Sequence, residues 1–170
     1  MQVFRATPDD SRAIAEIHVN TWRTAYESIL PAEYLASLSI DRREAMWRKC
    51  IAETTSDLLV VRDNTSIFGW LNFGACRDVG ATKTEAEVWA LYVSPSFWSC
   101  GAGRMLWLRA RELMLAQDFT SCSLRVFPKN ERAINFYRAA GFVRTPSPPK
   151  HFELGGKQLQ KVQFVSLLKG

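Results

Sequence analysis

The feature that most constrains this chain is an apolar run that leads through a glycine-containing loop into a helical pattern. Residues 87–93 are rich in Val, Trp, Leu and Tyr and stop at a Ser-Pro pair, which is typical of a strand that ends at a turn. Beyond the loop at residues 98–103, apolar residues recur at helical spacing over residues 104–116. The pattern predicts strand, loop and helix in that order, with unpaired backbone N–H groups where the helix begins.

Similar patterns divide the rest of the chain into helices and short strands. A helix entered through Thr7-Pro8-Asp9-Asp10 carries an apolar stripe from Ile14 to Ala25. Further helices are predicted at residues 33–38, 42–52 and 130–140. Strands are predicted at residues 2–5, 58–61, 67–73, 121–127, 142–143 and 158–168. This order of elements predicts an α+β fold with a mixed sheet.

Length and composition bound the architecture and the partners. The 170 residues correspond to one domain, which we expect to span residues 1–170. Apolar residues make up 47% of the chain, enough for a real core, which argues against disorder. The net charge of +5 leaves a basic nucleic-acid-binding module open as an alternative. Because Lys and Arg are interleaved with Asp and Glu, we expect a mixed solvated surface and no nucleic-acid partner.

Signals for a disulfide framework, a metal or a membrane are absent from the sequence. The cysteines at positions 50, 76, 100 and 122 form no close pair of the kind that metal sites use, so we expect no metal. The N-terminus lacks a basic stretch followed by an apolar segment. The longest uncharged run, residues 88–103, is too short for a membrane helix. We therefore expect a cytoplasmic protein with no membrane partner.

The loop at residues 98–103 carries two glycines, Gly101 and Gly103. Glycines let backbone amides approach an anion closely, and the helix start adds a partial positive charge, so the loop suits a pyrophosphate. A P-loop would need Gly-Lys-Ser/Thr here, and the dinucleotide fingerprint would need a small residue where Leu106 stands. A tight strand-to-helix turn without a ligand explains the two glycines equally well.

A second informative segment covers residues 130–142. Asn130 is predicted to cap the start of a helix, and Gly141 stands where the helix needs a left-handed residue at its end. Tyr137 lies about two turns after Asn130, so both project from nearly the same helix face. The alternative is an ordinary amphipathic helix in which Tyr137 is a core tyrosine with a satisfied hydroxyl.

Taken together, the two segments resemble the GNAT superfamily of acyl-CoA-dependent N-acetyltransferases. The family pattern Gln/Arg-x-x-Gly-x-Gly/Ala is met at Gly101 and Gly103, whereas Trp98 stands in place of Gln or Arg. The pattern Asn-x-x-Ala-x-x-Phe-Tyr-x-x-x-Gly-Phe is met throughout residues 130–142. The resemblance implies a mostly antiparallel central sheet flanked by helices, with a splay between strands 4 and 5.

The resemblance also implies that acetyl-CoA is the co-substrate and lies in that splay. Main-chain groups of Leu91, Tyr92 and Val93 would meet the pantetheine arm, with the Leu91 amide polarising the acetyl carbonyl. The diphosphate would be held by Ser99, Cys100, Gly101, Ala102, Gly103 and Arg104. Asn130 would contact the pantetheine or phosphate region, and Lys129 and Arg132 could meet the remaining phosphate charge.

The implied chemistry is direct attack of a primary amine on the thioester in a ternary complex. Glu87 matches the base of histone-acetylating relatives, but it stands about 13 Å from Leu91 along a strand, so a bridging water is needed. An ion-paired strand carboxylate is the alternative. Tyr137 matches the residue that protonates the departing CoA thiolate, or it only donates a hydrogen bond. No motif ties a histidine to Cys100, so we expect no cysteine nucleophile.

The acceptor is expected to be a small-molecule or peptide amine, which the sequence does not identify. Trp22 and Tyr26, four residues apart on one helix face, are predicted to line its site, with packing under the sheet as the alternative. A non-catalytic acyl-CoA sensor of the same fold stays open, and so does a homodimer.

Overall fold

A computed structural model describes residues 1–168 of the chain. The helices are α1 (Ser11–Ala25), α2 (Ala32–Ser37), α3 (Ile40–Glu53), α4 (Ala102–Ala116) and α5 (Glu131–Ala139). The strands are β1 (Gln2–Arg5), β2 (Asp57–Arg62), β3 (Ile67–Ala75), β4 (Glu85–Val93), β5 (Ser121–Val126), β6 (Val143–Arg144), β7 (Lys150–Leu154) and β8 (Lys157–Leu167). None of the helices in these 168 residues combines the length and apolar character needed to cross a membrane.

All eight strands belong to one sheet. Its order is β1-β2-β3-β4-β5-β8-β6, and β7 pairs with the first half of β8. Every strand pair is antiparallel except β4 with β5, which run parallel. The predicted α+β class with a mostly antiparallel sheet flanked by helices is therefore confirmed.

The helices cover the two faces of the sheet with separate apolar clusters. On one face α1 and α3 pack on β2 and β3 through a cluster that includes Ile14, Trp47 and Trp70. On the other face α4 packs on the sheet through a larger cluster that includes Leu106 and Phe164. Alternate residues of β2 serve the two clusters, as the period of a strand requires.

Strand β7 was not predicted. The segment contributes only two partly buried apolar residues, Phe152 and Leu154, so its sequence lacks the apolar run that marks a strand. It forms a hairpin with β8 through Gly155 and Gly156, which both have positive φ, as a two-residue type I′ turn requires. That Gly-Gly pair was the available signal.

Candidate functional site

Strands β4 and β5 are paired only at their beginnings. The parallel register runs from Glu85 opposite Ser121 to Val88 opposite Leu124 and stops there, although both strands continue. Trp89 is an extra residue in β4, because Val88 and Ala90 face successive residues of β3. The bulge and the lost pairing open a gap in the sheet beyond Val88, which is the predicted splay.

The edge of β4 at this gap presents backbone polar groups. Ser94 N–H donates to the Phe68 carbonyl, so Val93 and Gly69 form a non-hydrogen-bonded pair of the β3–β4 ladder. By alternation, the N–H and C=O groups of Val93 and Leu91 point away from β3, and the Val93 carbonyl there accepts hydrogen bonds from the Trp98 indole and the Thr21 hydroxyl. Those of Tyr92 point toward β3, which differs from the expectation that its main chain faces the pantetheine arm.

The loop that follows β4 forms a turn with free backbone donors. Ser99 and Gly101 have φ angles of 63° and 88°, in the left-handed region. Met105 N–H donates to the Gly101 carbonyl, which closes the first turn of α4. In the described chain, the N–H groups from Ser99 to Arg104 have no backbone acceptor, as expected at a helix start. A Cβ at Gly101 would meet nothing within 4 Å, so the loop is open at this residue.

The gap and the loop belong to one cleft of about 440 Å³. Among the predicted site residues, those that line it are Tyr26, Leu91, Tyr92, Val93, Ser99, Gly101, Ala102, Gly103, Arg104, Asn130, Arg132 and Tyr137. Trp22, Glu87, Cys100 and Lys129 are not part of its wall. The cleft passes through the sheet, because Tyr26 belongs to the α1 face and Ala102 to the α4 face.

Helix α5 forms one wall of the cleft and is built as its sequence predicts. The Asn130 side chain accepts a hydrogen bond from Ala133 N–H at 3.3 Å, and Gly141 has a φ of 90° just beyond the helix. Gly103 allows α4 to approach α5, since a Cβ there would lie 3.2 Å from the Phe136 ring. These local contacts fix where α5 presents its residues to the cleft.

Tyr137 projects from α5 into the cleft between Phe136 and Phe142, whose rings lie 5.4 and 5.8 Å from its own. Its hydroxyl makes no hydrogen bond to any described residue. Burial raises the pKa of the Tyr137 phenol above its usual value. The phenol therefore keeps its proton and remains able to donate it in a hydrogen bond.

Glu87 is buried beside the gap and is paired with Arg77. The Arg77 guanidinium donates to Oε1 at 2.7 Å and to Oε2 at 3.0 Å, and the Arg77 backbone N–H also donates to Oε2 at 3.0 Å. Oε1 accepts only one of these bonds, which leaves it able to accept another from water. Glu87 is therefore an ion-paired strand carboxylate in this structure, as the alternative interpretation describes.

The two predicted acceptor-site residues differ in position. Tyr26 is 7% exposed, lines the cleft and packs edge-on against Phe127 at 5.0 Å. Trp22 packs beneath the sheet against Tyr26 and His18, at 5.3 and 5.1 Å, and lies behind the cleft wall. Trp22 is thus placed as the packing alternative describes, and an acceptor beside Tyr26 stays a prediction.

Cys100 is exposed in the loop, and its thiol donates to the Phe97 carbonyl at 2.8 Å. Within residues 1–168, no three His, Cys, Asp or Glu side chains come together as metal ligands would.

Among residues 1–168, four charged side chains line the cleft, and two of them, Arg104 and Arg132, were predicted. Arg132 lines the cleft and stacks on Trp98, as the sequence could not show. Arg125 and Lys161 also line it, and neither was predicted. Lys161 is positioned by the hairpin of β7 and β8. The Gly155-Gly156 pair, which forms the turn of that hairpin, was the available sequence signal for this position.

Comparison with known proteins identifies the fold family. The model of the acetyltransferase (GNAT) family matches residues 16–142. An uncharacterised N-acetyltransferase of Bacillus subtilis, YuaI, is 32% identical over 161 residues, which are 94% of this chain and 89% of that protein. A spermidine N(1)-acetyltransferase of Thermoplasma acidophilum is 20% identical, over 84% of this chain and 88% of that protein.

Solved structures with the same fold cover almost the whole chain. The PaiA N-acetyltransferase of Thermoplasma acidophilum, crystallised with coenzyme A, has a TM-score of 0.77 at 18% identity and covers 98% of both chains. A putative acetyltransferase of Salmonella typhimurium, crystallised with acetyl-CoA, has a TM-score of 0.76 at 22% identity and covers 100% of this chain and 95% of its own. The family match and the Bacillus relative show that the chain belongs to the GNAT family of acetyltransferases.

Proposed function

We propose that this chain transfers an acetyl group from acetyl-CoA to a primary amine, with residues 1–170 acting as a single domain. The observation that carries the proposal is the meeting of two sets of free backbone donors in one cleft. One set lies along the gap edge of β4, at Leu91 and Val93, and the other lies in the loop before α4. A thioester tail and a diphosphate, joined in one molecule, fit that pair of sites.

The loop donors suit the diphosphate. Consecutive N–H groups from Ser99 to Arg104 are unpaired, and the start of the fifteen-residue helix α4 adds a partial positive charge. Cys100 takes part only through its backbone in this arrangement. Arg104 and Arg132 line the same end of the cleft and supply the formal positive charges that phosphates require.

The gap suits the pantetheine arm and the thioester. Leu91 offers its backbone N–H and C=O groups and Val93 its N–H group, while Tyr92 and Asn130 belong to the wall. The Leu91 N–H is the donor proposed for the acetyl carbonyl oxygen. A donor aimed at the charge that develops on that oxygen is worth about 3 kcal/mol of barrier.

The reaction proposed is attack of the amine nitrogen on the thioester carbonyl carbon. The new C–N bond forms, the C–S bond breaks, and the CoA thiolate leaves. Tyr137, whose phenol retains its proton because burial raises its pKa, donates a hydrogen bond to the departing sulfur, and the thiolate is released to solvent. The proton lost by the amine passes through a water molecule to Glu87, whose Oε1 has room for one more hydrogen bond.

A base matters because most alkylamines are protonated at neutral pH. An amine of pKa near 10.4 is about three units above pH 7.4, and each unit corresponds to roughly 1.4 kcal/mol, so deprotonation costs about 4 kcal/mol. Glu87 acting through water offsets part of that cost in the proposed mechanism.

The direct test combines calorimetry with an assay of thiol release. We expect acetyl-CoA to bind at micromolar protein concentration and free CoA to appear when an acceptor amine is added. Binding without turnover of any amine would favour the non-catalytic acyl-CoA sensor. Absence of binding would contradict both the acetyltransferase and the acyl-CoA sensor, and would favour a basic nucleic-acid-binding module.

A further inference from the structure

The charges that line the cleft are all positive. Among residues 1–168, the charged side chains in its wall are Arg104, Arg125, Arg132 and Lys161, and no Asp or Glu joins them. Arg104 and Arg132 lie at the end that contains the loop before α4. Arg125 and Lys161 come from β5 and β8, on the far side of the gap.

The two cations on the far side differ in their partners. Arg125 donates to Asp78 at 2.8 Å, and the same carboxylate oxygen accepts from Gln163 at 3.0 Å. Lys161 has no ion pair or hydrogen bond with any described residue. Its ammonium lies 4.8 Å from the centroid of the Phe127 ring and 5.5 Å from that of Phe152. The aromatic rings remove water from the ammonium without neutralising it.

The surroundings of Lys161 add positive charge. Lys150 stands directly opposite Lys161 in the β7–β8 register, a like-charged pair that destabilises the hairpin. Burial, and then the charges of Arg77 and Lys150, lower the pKa of the Lys161 ammonium, and the negative charge of Glu87 only partly opposes this lowering. A carboxylate brought next to Lys161 would remove this penalty, so the site favours an anionic ligand.

The anion that meets Lys161 does not come from the diphosphate of acetyl-CoA in the arrangement proposed above. Phe127 packs with Tyr26 in a further apolar cluster at the end of α1, whereas the loop before α4 belongs to the opposite face of the sheet. Lys161, which lies over Phe127, therefore faces the side of the gap from which the acceptor must approach. Tyr26 and Phe127 supply the apolar wall beside it.

We propose that the acceptor is a primary amine that bears a carboxylate, as amino acids do, and that Lys161 binds this carboxylate. This inference rests on the proposed function, because it assigns a substrate class to the same cleft. A polyamine would bring further positive charge into a cleft that has no carboxylate in its wall, which disfavours such acceptors.

The test measures acetylation of matched pairs of amines. Common amino acids and their carboxamides carry an amine on the same carbon skeleton with and without the negative charge, and spermidine represents the polyamines. We expect at least one amino acid to be acetylated with a kcat/KM about tenfold or more above that of its carboxamide. Spermidine should be a poorer acceptor than that amino acid.

Variants of Lys161 identify the residue responsible. Lys161→Met should lower kcat/KM for the amino acid by about 10- to 100-fold, mainly through KM, and change that of the carboxamide by less than about threefold. Lys161→Arg keeps the charge and should retain the preference for the carboxylate. Lys150→Met removes the same charge from the exposed facing position outside the cleft and should leave the preference in place. Calorimetry with acetyl-CoA should give the same Kd for all four proteins, which also shows that each variant is folded.

The outcomes separate this inference from the proposed function. Acetylation of carboxamides or spermidine in preference to amino acids, or equal losses for acid and carboxamide in Lys161→Met, overturns the acceptor class and leaves acetyl transfer intact. Turnover of no amino acid likewise overturns it. Failure of the wild-type protein to bind acetyl-CoA contradicts the proposed function and the inference together.

Discussion

The guanidinium of Arg132 lies over the indole ring of Trp98, 3.9 Å from the ring centroid. Position 98 is where the family pattern has Gln or Arg, so the loop of this chain lacks a polar side chain of its own there. The indole N–H is also engaged, because it donates to the Val93 carbonyl at 2.8 Å. Trp98 therefore ties the loop to β4 and supports a cation that comes from α5.

Replacing Arg132 should weaken the binding of acetyl-CoA. Arg132→Met removes a charge-assisted contact to phosphate, and we expect the Kd to rise about tenfold. Calorimetry at low and moderate salt measures the change, which should shrink as salt screens the charge. Arg138→Met on the same helix removes an exposed cation outside the cleft. Equal effects of the two substitutions would contradict a specific role for Arg132.

Substituting Gly101 should affect folding and ligand binding at once. Its φ of 88° is strained for any residue with a Cβ, so Gly101→Ala should lower the free energy of unfolding by about 1 kcal/mol. Gly156→Ala introduces the same strain at a φ of 75° in the β7–β8 turn, also with no atom near the added Cβ. Denaturant unfolding should show similar losses for both variants. Only Gly101→Ala should raise the Kd of acetyl-CoA, and an equal rise in Gly156→Ala would refute the loop as the diphosphate site.

Removing the Tyr137 hydroxyl should slow turnover without weakening cofactor binding. Tyr137→Phe deletes the donor proposed for the departing sulfur, and we expect kcat to fall about 10- to 100-fold. Steady-state assays of CoA release give kcat, and calorimetry gives the Kd of acetyl-CoA, which should not change. Tyr34→Phe outside the cleft serves as the control. Unchanged turnover in Tyr137→Phe would remove the phenol from the mechanism.

The role of Glu87 predicts a change in the pH profile. Glu87→Gln retains an acceptor for Arg77 but loses the base, so kcat/KM at pH 7.4 should fall about tenfold or more. The deficit should disappear as the pH approaches the pKa of the acceptor amine, near 10, because a neutral amine needs no base. Glu85→Gln, on the same strand but bonded to Thr82, should behave as the wild type. A constant deficit at all pH values would assign Glu87 a structural role through Arg77.

Burial of His18 predicts a loss of stability in acid. His18 is surrounded by aromatic rings and accepts a hydrogen bond from Trp47 at 3.2 Å. Burial, and then the charge of Arg43, lower its pKa to about 3. Because the unfolded chain takes up this proton below about pH 6.5, the free energy of unfolding should fall by about 2 kcal/mol between pH 7.5 and pH 5.

Urea unfolding at the two pH values measures this effect. His18→Phe should be less stable at pH 7.5, since Trp47 loses its acceptor, but its stability should depend less on pH. His151→Gln replaces the other histidine, which is exposed, and should keep the wild-type slope. The same slope in His18→Phe would contradict the assignment of the acid sensitivity to His18.

The parts of the site that the sequence predicted are those set by local rules. Asn130 as a helix cap, Gly141 as the helix end and the turn at Gly101 follow from backbone requirements within a few residues. The splay between β4 and β5 followed from the resemblance of these segments to a known family, and the register of the sheet confirms it.

The remaining parts depend on contacts between distant segments. Glu87 is paired with Arg77 because β3 and β4 are neighbours and the chain between them turns back. Lys161 lies in the cleft because β8 pairs with β7 along its first half and with β5 along its second half. The sequence of a single strand does not indicate these pairings, so it does not predict where the lysine lies. Tyr92 faces β3 with its backbone because of the ladder alternation, which a strand prediction does not resolve.

The most direct test of the account is a crystal structure of the protein with acetyl-CoA. We expect the diphosphate oxygens within hydrogen-bonding distance of the backbone N–H groups between Ser99 and Arg104, and the thioester carbonyl next to the Leu91 N–H. Acetyl-CoA bound elsewhere, or a gap between β4 and β5 filled by protein side chains, would contradict it.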